Sequence, residues 1–345
     1  MYLKHFKLAR YPFQLTPDAG FFFRSRVHAR ALATITYGLS KQEGFVVITG
    51  HVGAGKTTLI DYMLNQEKSP RTVTAHVNTT QIEADNLLEL ISGDLGLRRT
   101  GATKAACLRD LNNYFQTIGR RNGHVLLIID EVQNLSPGAL EELRMLSNFH
   151  DKGRPLVQTL LVGQPEFRGR LAGPECEQLR QRVIASYHLL PLSQAEVSVY
   201  IEHRLQQAGH KGEALFDDGA YAHIYDETGG IPRKINRLCD RLLLFGYLEG
   251  LTRLDEAAVG DVVAEMRAEN LSQTPEQGAV NGVEEDGQVL ELGFAQRADR
   301  GTPPGRAQPV NLVAMMHEMR QELADYKAKM NRIMELVAED RRRRR

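Results

Sequence analysis

Short apolar runs alternate with longer stretches of helical periodicity from Phe45 to Val162, as crossover units on a parallel sheet require. Phe45-Val-Val-Ile-Thr, Val73-Thr-Ala-His-Val, Val125-Leu-Leu-Ile-Ile and Gln158-Thr-Leu-Leu-Val read as buried strands. Strands that are apolar on both sides need helices over both faces of their sheet. From about Leu192 to Glu269 the periodicity becomes that of amphipathic helices, at Ala195 to Gln207, Asp218 to Glu227, Pro232 to Leu248 and Asp255 to Arg267, and predicts a small all-helical domain. The fold class expected is therefore α/β, a parallel sheet with helices on both faces followed by a helical lid.

Beyond residue 270 the pattern lapses. Residues 270–310 are rich in Gly, Pro, Gln and acids without either period, which predicts a flexible linker. Leu312, Met316, Met319, Leu323, Tyr326, Met330, Ile333 and Val337 then alternate spacings of four and three, an a/d heptad seam over 311–345 that ends in Arg341 to Arg345. A helix over 311–340 needs burial to persist, so a coiled-coil partner or a second copy is expected there. Methionines along the seam favour adaptable pairing. The terminal arginines are a solubilising end whose pull on anionic lipid or nucleic acid is weak and salt-sensitive.

Composition narrows the class. The chain has 345 residues, 42% hydrophobic and 25% charged, with 43 basic and 43 acidic residues, so no net field draws it to nucleic acid or membrane. Cys107, Cys176 and Cys239 show neither C-x-x-C spacing nor companion histidines, which argues against zinc or disulfides and fits a reducing compartment. The first residues lack the basic start and apolar run of a secretory signal, and no apolar run approaches the roughly 20 residues that span a bilayer. A cytoplasmic location is expected, with peripheral contact at the inner membrane as the alternative.

The chemistry is concentrated at two strand ends. Gly50-His51-Val52-Gly53-Ala54-Gly55-Lys56-Thr57 fits G-x-x-x-x-G-K-T between a strand and a helical stretch, Thr58 to Asn65, which is the setting the motif needs to bind ATP. The glycines let successive amides turn inward as an anion nest at a helix start. Lys56 is expected on the β- and γ-phosphates, and Thr57 on Mg2+. Downstream, Leu126-Leu-Ile-Ile leads to Asp130 and Glu131 at a strand's carboxyl end, where open α/β sheets bind ligands. Asp130 would hold the metal and Glu131 would deprotonate the attacking water.

With these motifs placed, the chain resembles the AAA+ ATPases, and among them the ExeA/GspA (general secretion pathway protein A) group, most closely the ATPase of exosortase and exopolysaccharide loci. The matching stretches include Pro12-Phe-Gln-Leu-Thr-Pro-Asp, Leu126-Leu-Ile-Ile-Asp-Glu-Val-Gln-Asn-Leu-Ser, Glu141-Glu-Leu-Arg-Met-Leu-Ser-Asn-Phe, Leu161-Val-Gly-Gln-Pro-Glu-Phe and Gly229-Gly-Ile-Pro-Arg-Lys-Ile-Asn, and they cover residues 1–268. The resemblance implies an N-terminal aromatic segment beside the adenine over 1–43, an ATPase core over 44–190 and a lid over 191–269. It implies that Gln164 is the polar sensor of the γ-phosphate and Arg233 a second sensor in the lid. It also implies an arginine finger acting on a neighbouring subunit, Arg182 first and Arg180 second, and hence a homo-oligomer.

Phe6, Tyr11, Phe13 and Phe21 to Phe23 are the aromatic residues concerned, with Arg30 and Tyr37 as weaker base or ribose contacts. In function the resemblance implies ATP hydrolysis coupled to envelope export, through exopolysaccharide, exosortase or general secretion machinery. A DNA-associated ATPase of transposition or remodelling is the alternative, and the dispersed basic residues disfavour it. Secretion-type members continue through a membrane segment into a wall-binding region; residues 270–345 carry neither, so wall binding is not expected.

Overall fold

The computed structural model describes residues 2–16, 18–66, 71–78, 83–97 and 103–272. The heptad segment and the linker beyond residue 272 lie outside the described residues.

Five parallel strands form the sheet: β1 Phe45–Gly50, β2 Thr72–Asn78, β3 His124–Asp130, β4 Val157–Gly163 and β5 Val183–Leu189, in the order β2-β3-β4-β1-β5. Every residue of β1, β3 and β4 is buried, which is why these strands read as continuous apolar runs. Alternate residues feed two cores. Val47, Leu127, Ile129 and Leu161 point to one face and pack with α3 Ala84–Asp94, α4 Lys104–Arg120 and α5 Pro137–Leu146, through Leu87, Phe115 and Leu143. Val46, Ile48, Ile128 and Val162 point to the other face and pack with α1 Arg26–Ser40 and α2 Lys56–Gln66, through Leu32, Ile35, Leu59 and Ile60. Each such side chain withdrawn from water contributes roughly 1.5–3 kcal/mol before entropy is counted.

β5 was not among the strands legible in the sequence. It is an edge strand whose side chains are mostly half-exposed, so Val183-Ile-Ala-Ser-Tyr-His-Leu never forms an apolar run. Its pairing with β1 also shifts register between Phe45 and Val46.

After β4, α6 Pro165–Ala172 leads back along the sheet, and the lid follows β5. Its helices are α7 Gln194–Gln207, α8 Asp218–Thr228, α9 Pro232–Leu248 and α10 Glu256–Ser272. The last runs a few residues past the expected lid boundary at residue 269. The lid core also contains Tyr2, Phe6, Leu8, Phe13, Phe21 and Phe23, so the segments 2–16 and 18–23 contribute to the lid's packing while α1 covers the sheet. A strap is thereby stretched from lid to sheet across the strands' carboxyl ends. Arg204 of α7 ties it down, donating from Nε to the Pro12 carbonyl at 2.6 Å.

Candidate active site

The turn after β1 is shaped by three glycines with separate causes. Gly53 and Gly55 have φ of +80° and +94°, a region that other L-residues enter only with strain. A β-carbon on Gly53 would lie 2.4 Å from Arg233 Cβ, and one on Gly50 would lie 2.8 Å from the Leu189 carbonyl oxygen. The turn is therefore wedged between β5 and the start of α9, and the Arg233 backbone N–H donates to the Gly53 carbonyl at 3.1 Å. Ala54 is buried in the core beneath; His28 of α1 meets its carbonyl through Nε2 at 3.3 Å. Burial pushes the His28 imidazole down to about 4, so it is neutral at physiological pH.

Lys56 and Thr57 open α2 beneath this turn. Lys56 is only 6% exposed, and its ammonium donates to the Gly50 and His51 carbonyls at 2.8 and 3.1 Å. Burial pulls its pKa down, opposed by the charges of Glu131, Asp130 and Glu166. Thr57 Oγ1 donates to Asp130 Oδ2 at 3.1 Å, so the two expected metal ligands, from separate elements, meet at one point. The second Asp130 oxygen accepts from the Glu131 N–H at 2.9 Å. Glu131 itself adopts φ +53° at the start of the 3-10 turn Val132–Asn134.

Gln164, the residue after β4, donates from Nε2 to Glu131 Oε2 at 2.9 Å, which brings the expected sensor against the expected base. Burial raises the Glu131 carboxyl, but hydrogen bonds from Gln164 and Gln133 and the Lys56 charge outweigh it, so the group lies below its usual value and is ionised.

A cleft of about 370 Å³ opens above these groups. Val52, Gly53, Gly55, Lys56, Thr57, Thr58, Glu131 and Arg233 line one end, and Phe21 to Phe23 with Tyr200, Arg204 and Asn236 line the other. The strap thus contributes Phe21 to Phe23, but not the remaining aromatics expected beside the base: Phe6 and Phe13 are in the lid core, and Tyr11 is 44% exposed. Arg30 and Tyr37 lie on the exposed side of α1 away from this lining.

The arginine pair stands apart from the cleft. Arg182 precedes β5 beside the amino-terminal end of β1, the end of the strands away from the phosphate turn, its carbonyl accepting from Phe45 N–H and its Nη1 donating to Ser147 Oγ at 2.8 Å. Arg180 is exposed and donates from Nη1 to the carbonyls of Leu171, Ala172 and Gly173, closing the carboxyl end of α6. Neither residue reaches this chain's own phosphate turn.

Sequence reasoning passed over Gln133, which contacts both Glu131 and Gln164, and over Arg204 and Tyr200 in the lid wall of the cleft. An amide two positions past an acid pair was the one signal for Gln133. Nothing local marks Arg204.

Comparison with known proteins agrees with this geometry. A model of the AAA domain matches residues 39–171. General secretion pathway protein A of Aeromonas hydrophila is 37% identical over 252 residues, 72% of this chain and 46% of that protein. The chain therefore spans less than half the length of that relative. The ORC2 protein of Aeropyrum pernix in its ADPNP-ADP complexes shares the fold at a TM-score of 0.56 and 21% identity, over 74% of this chain and 71% of that one. Drosophila ORC bound to DNA does so at 0.58 and 17%, over 80% and 69%. The matched domain, the phosphate turn with its facing acids, and the sheet with its lid together establish that the chain belongs to the AAA+ ATPases.

Proposed function

We propose that this chain is a magnesium-dependent ATPase which works as an oligomer and couples ATP hydrolysis to cell-envelope export. The observation that carries the chemistry is the contact of Thr57 Oγ1 with Asp130 Oδ2 at 3.1 Å directly below the glycine turn. Magnesium takes hard oxygen donors and keeps several waters, so this pair fits it, with phosphate oxygens and water completing the shell. Among the described residues no cluster of three or more His, Cys, Asp or Glu offers another metal site. When bound, the ion neutralises charge growing on the β- and γ-phosphate oxygens.

The chain's own residues supply the remainder. Lys56 exchanges the carbonyls of Gly50 and His51 for phosphate oxygens, and the inward amides of the turn hold the triphosphate. Glu131 accepts a proton from water as the water oxygen bonds to the γ-phosphorus and the bond to the ADP oxygen breaks, giving ADP and inorganic phosphate. Gln164 aligns that water, and Arg233 at the head of α9 links the γ-phosphate to lid position through its seat on Gly53. Arg182, remote from its own cleft, is the residue we assign to a neighbour's site, with Arg180 held in a helix cap.

The export assignment is supported by the identity to general secretion pathway protein A. The narrower link to exosortase or exopolysaccharide machinery rests on sequence motifs alone. Among the described residues no helix is long and apolar enough to cross a membrane. Turnover should be measured with Mg2+ or EDTA, then with duplex DNA or with membranes carrying the co-expressed export apparatus. Magnesium-dependent turnover raised by those membranes is expected; activation by DNA alone would overturn the export assignment.

A further inference from the structure

We propose that Gln133 is a positioning residue for hydrolysis, whose side-chain amide clamps Glu131 to the sensor loop so that base and sensor move as one unit. This rests on the ATPase chemistry above and adds a component to it. Gln133 lies in the turn Val132–Asn134 that directly follows Glu131. Its Nε2 donates to Glu131 Oε2 at 2.6 Å, and its Oε1 accepts the Gln164 backbone N–H at 3.0 Å. The Gln164 side chain donates to the same Glu131 oxygen at 2.9 Å. Three residues from two strand ends thus close a ring, and both functions of the Gln133 amide are used.

Space for this reach is left by Gly163. A β-carbon there would stand 3.0 Å from Gln133 Oε1 and 2.7 Å from Val132 Cγ1. The last residue of β4 therefore leaves open the passage that the amide occupies.

The need for a clamp follows from the backbone and from the reaction. Glu131 sits at φ +53°, a left-handed backbone that strains a non-glycine residue, so the carboxylate keeps its aim only if something holds it. The Gln164 amide must serve the attacking water as well as Glu131, which loosens its own hold on the carboxylate. Meanwhile Gln133 still holds the carboxylate with its donor and the Gln164 main chain with its acceptor. No other side chain of this length does both: Glu lacks the donor, Met lacks both groups, and Asn is one methylene short.

The test is steady-state and single-turnover ATP hydrolysis by the full chain with magnesium. Gln133→Met is expected to lower kcat ten- to a hundredfold, the scale of a small misplacement of a reacting group, with KM and ATP affinity within about twofold of wild type. Gln133→Asn should fail to rescue the rate. Should Gln133→Met not fold, Gln133→Glu keeps the acceptor but sets a carboxylate against Glu131 in place of the donor, and should lose kcat at least as much. An unchanged kcat in an active background would overturn the clamp, as would a parallel loss of ATP affinity and thermal stability, the mark of a merely structural glutamine. A wild-type chain that binds ATP without cleaving it would remove the ATPase chemistry and the clamp together.

Discussion

Single side chains carry the first predictions. Lys56 is buried, and two main-chain carbonyls of the phosphate turn hold its ammonium in place. Lys56→Ala should therefore fold and lose ATP affinity by at least about a hundredfold, the scale of a buried charged contact, measured by titration with a fluorescent nucleotide. The two arginines should separate in kind. Arg180→Ala removes the cap on α6 and should cost about 1 kcal/mol in urea unfolding with ATP affinity unchanged. Arg182→Ala should leave nucleotide binding intact and lower kcat by roughly a thousandfold if it completes a neighbour's site. The glycine-rich motif and the acid pair were legible in the sequence because anion nests and metal ligands demand particular residues at fixed spacing. Gln133, Arg204 and Tyr200 were not, because their roles depend on which loops the sheet order brings together.

Elements explain how lid and sheet communicate. The strands β1, β3 and β4 were readable because full burial leaves an apolar run, whereas β5, half-exposed at the edge, has no such signature. The N-terminal strap was readable as aromatic but not as lid, since contact with α7 and α9 is made across nearly 200 residues, as in the bond from Arg204 to the Pro12 carbonyl. Lid attachment turns on Gly230, with φ +71° and a β-carbon position only 2.0 Å from the Leu192 carbonyl oxygen. Gly230→Ala forces both strain and clash, so it should destabilise by more than about 2 kcal/mol and lower Tm by several degrees in calorimetry. Gly250, also at positive φ but with no atom near its β-carbon position, should cost clearly less on the same change.

The chain in its entirety adds acid sensitivity to the nucleotide chemistry. His28 and His124 are both buried and pushed down to about 4 by that burial. Unfolding lets each regain its ordinary value near 6.5, so the unfolded state binds more protons between those limits. Stability should be flat above about pH 6.5 and fall toward pH 4, with a slope approaching 1.4 kcal/mol per pH unit for each histidine. Urea unfolding of wild type against His124→Gln across that range checks this, and the variant should show the shallower slope. The assembly itself is testable through Glu131→Gln, which leaves the phosphate turn and the Thr57 to Asp130 contact in place while removing the proton acceptor. ATP affinity and turnover of that variant should be compared with wild type in one magnesium-containing assay. Affinity within a few-fold and turnover reduced at least a hundredfold are predicted; turnover equal to wild type would contradict the placement of Glu131 as the base.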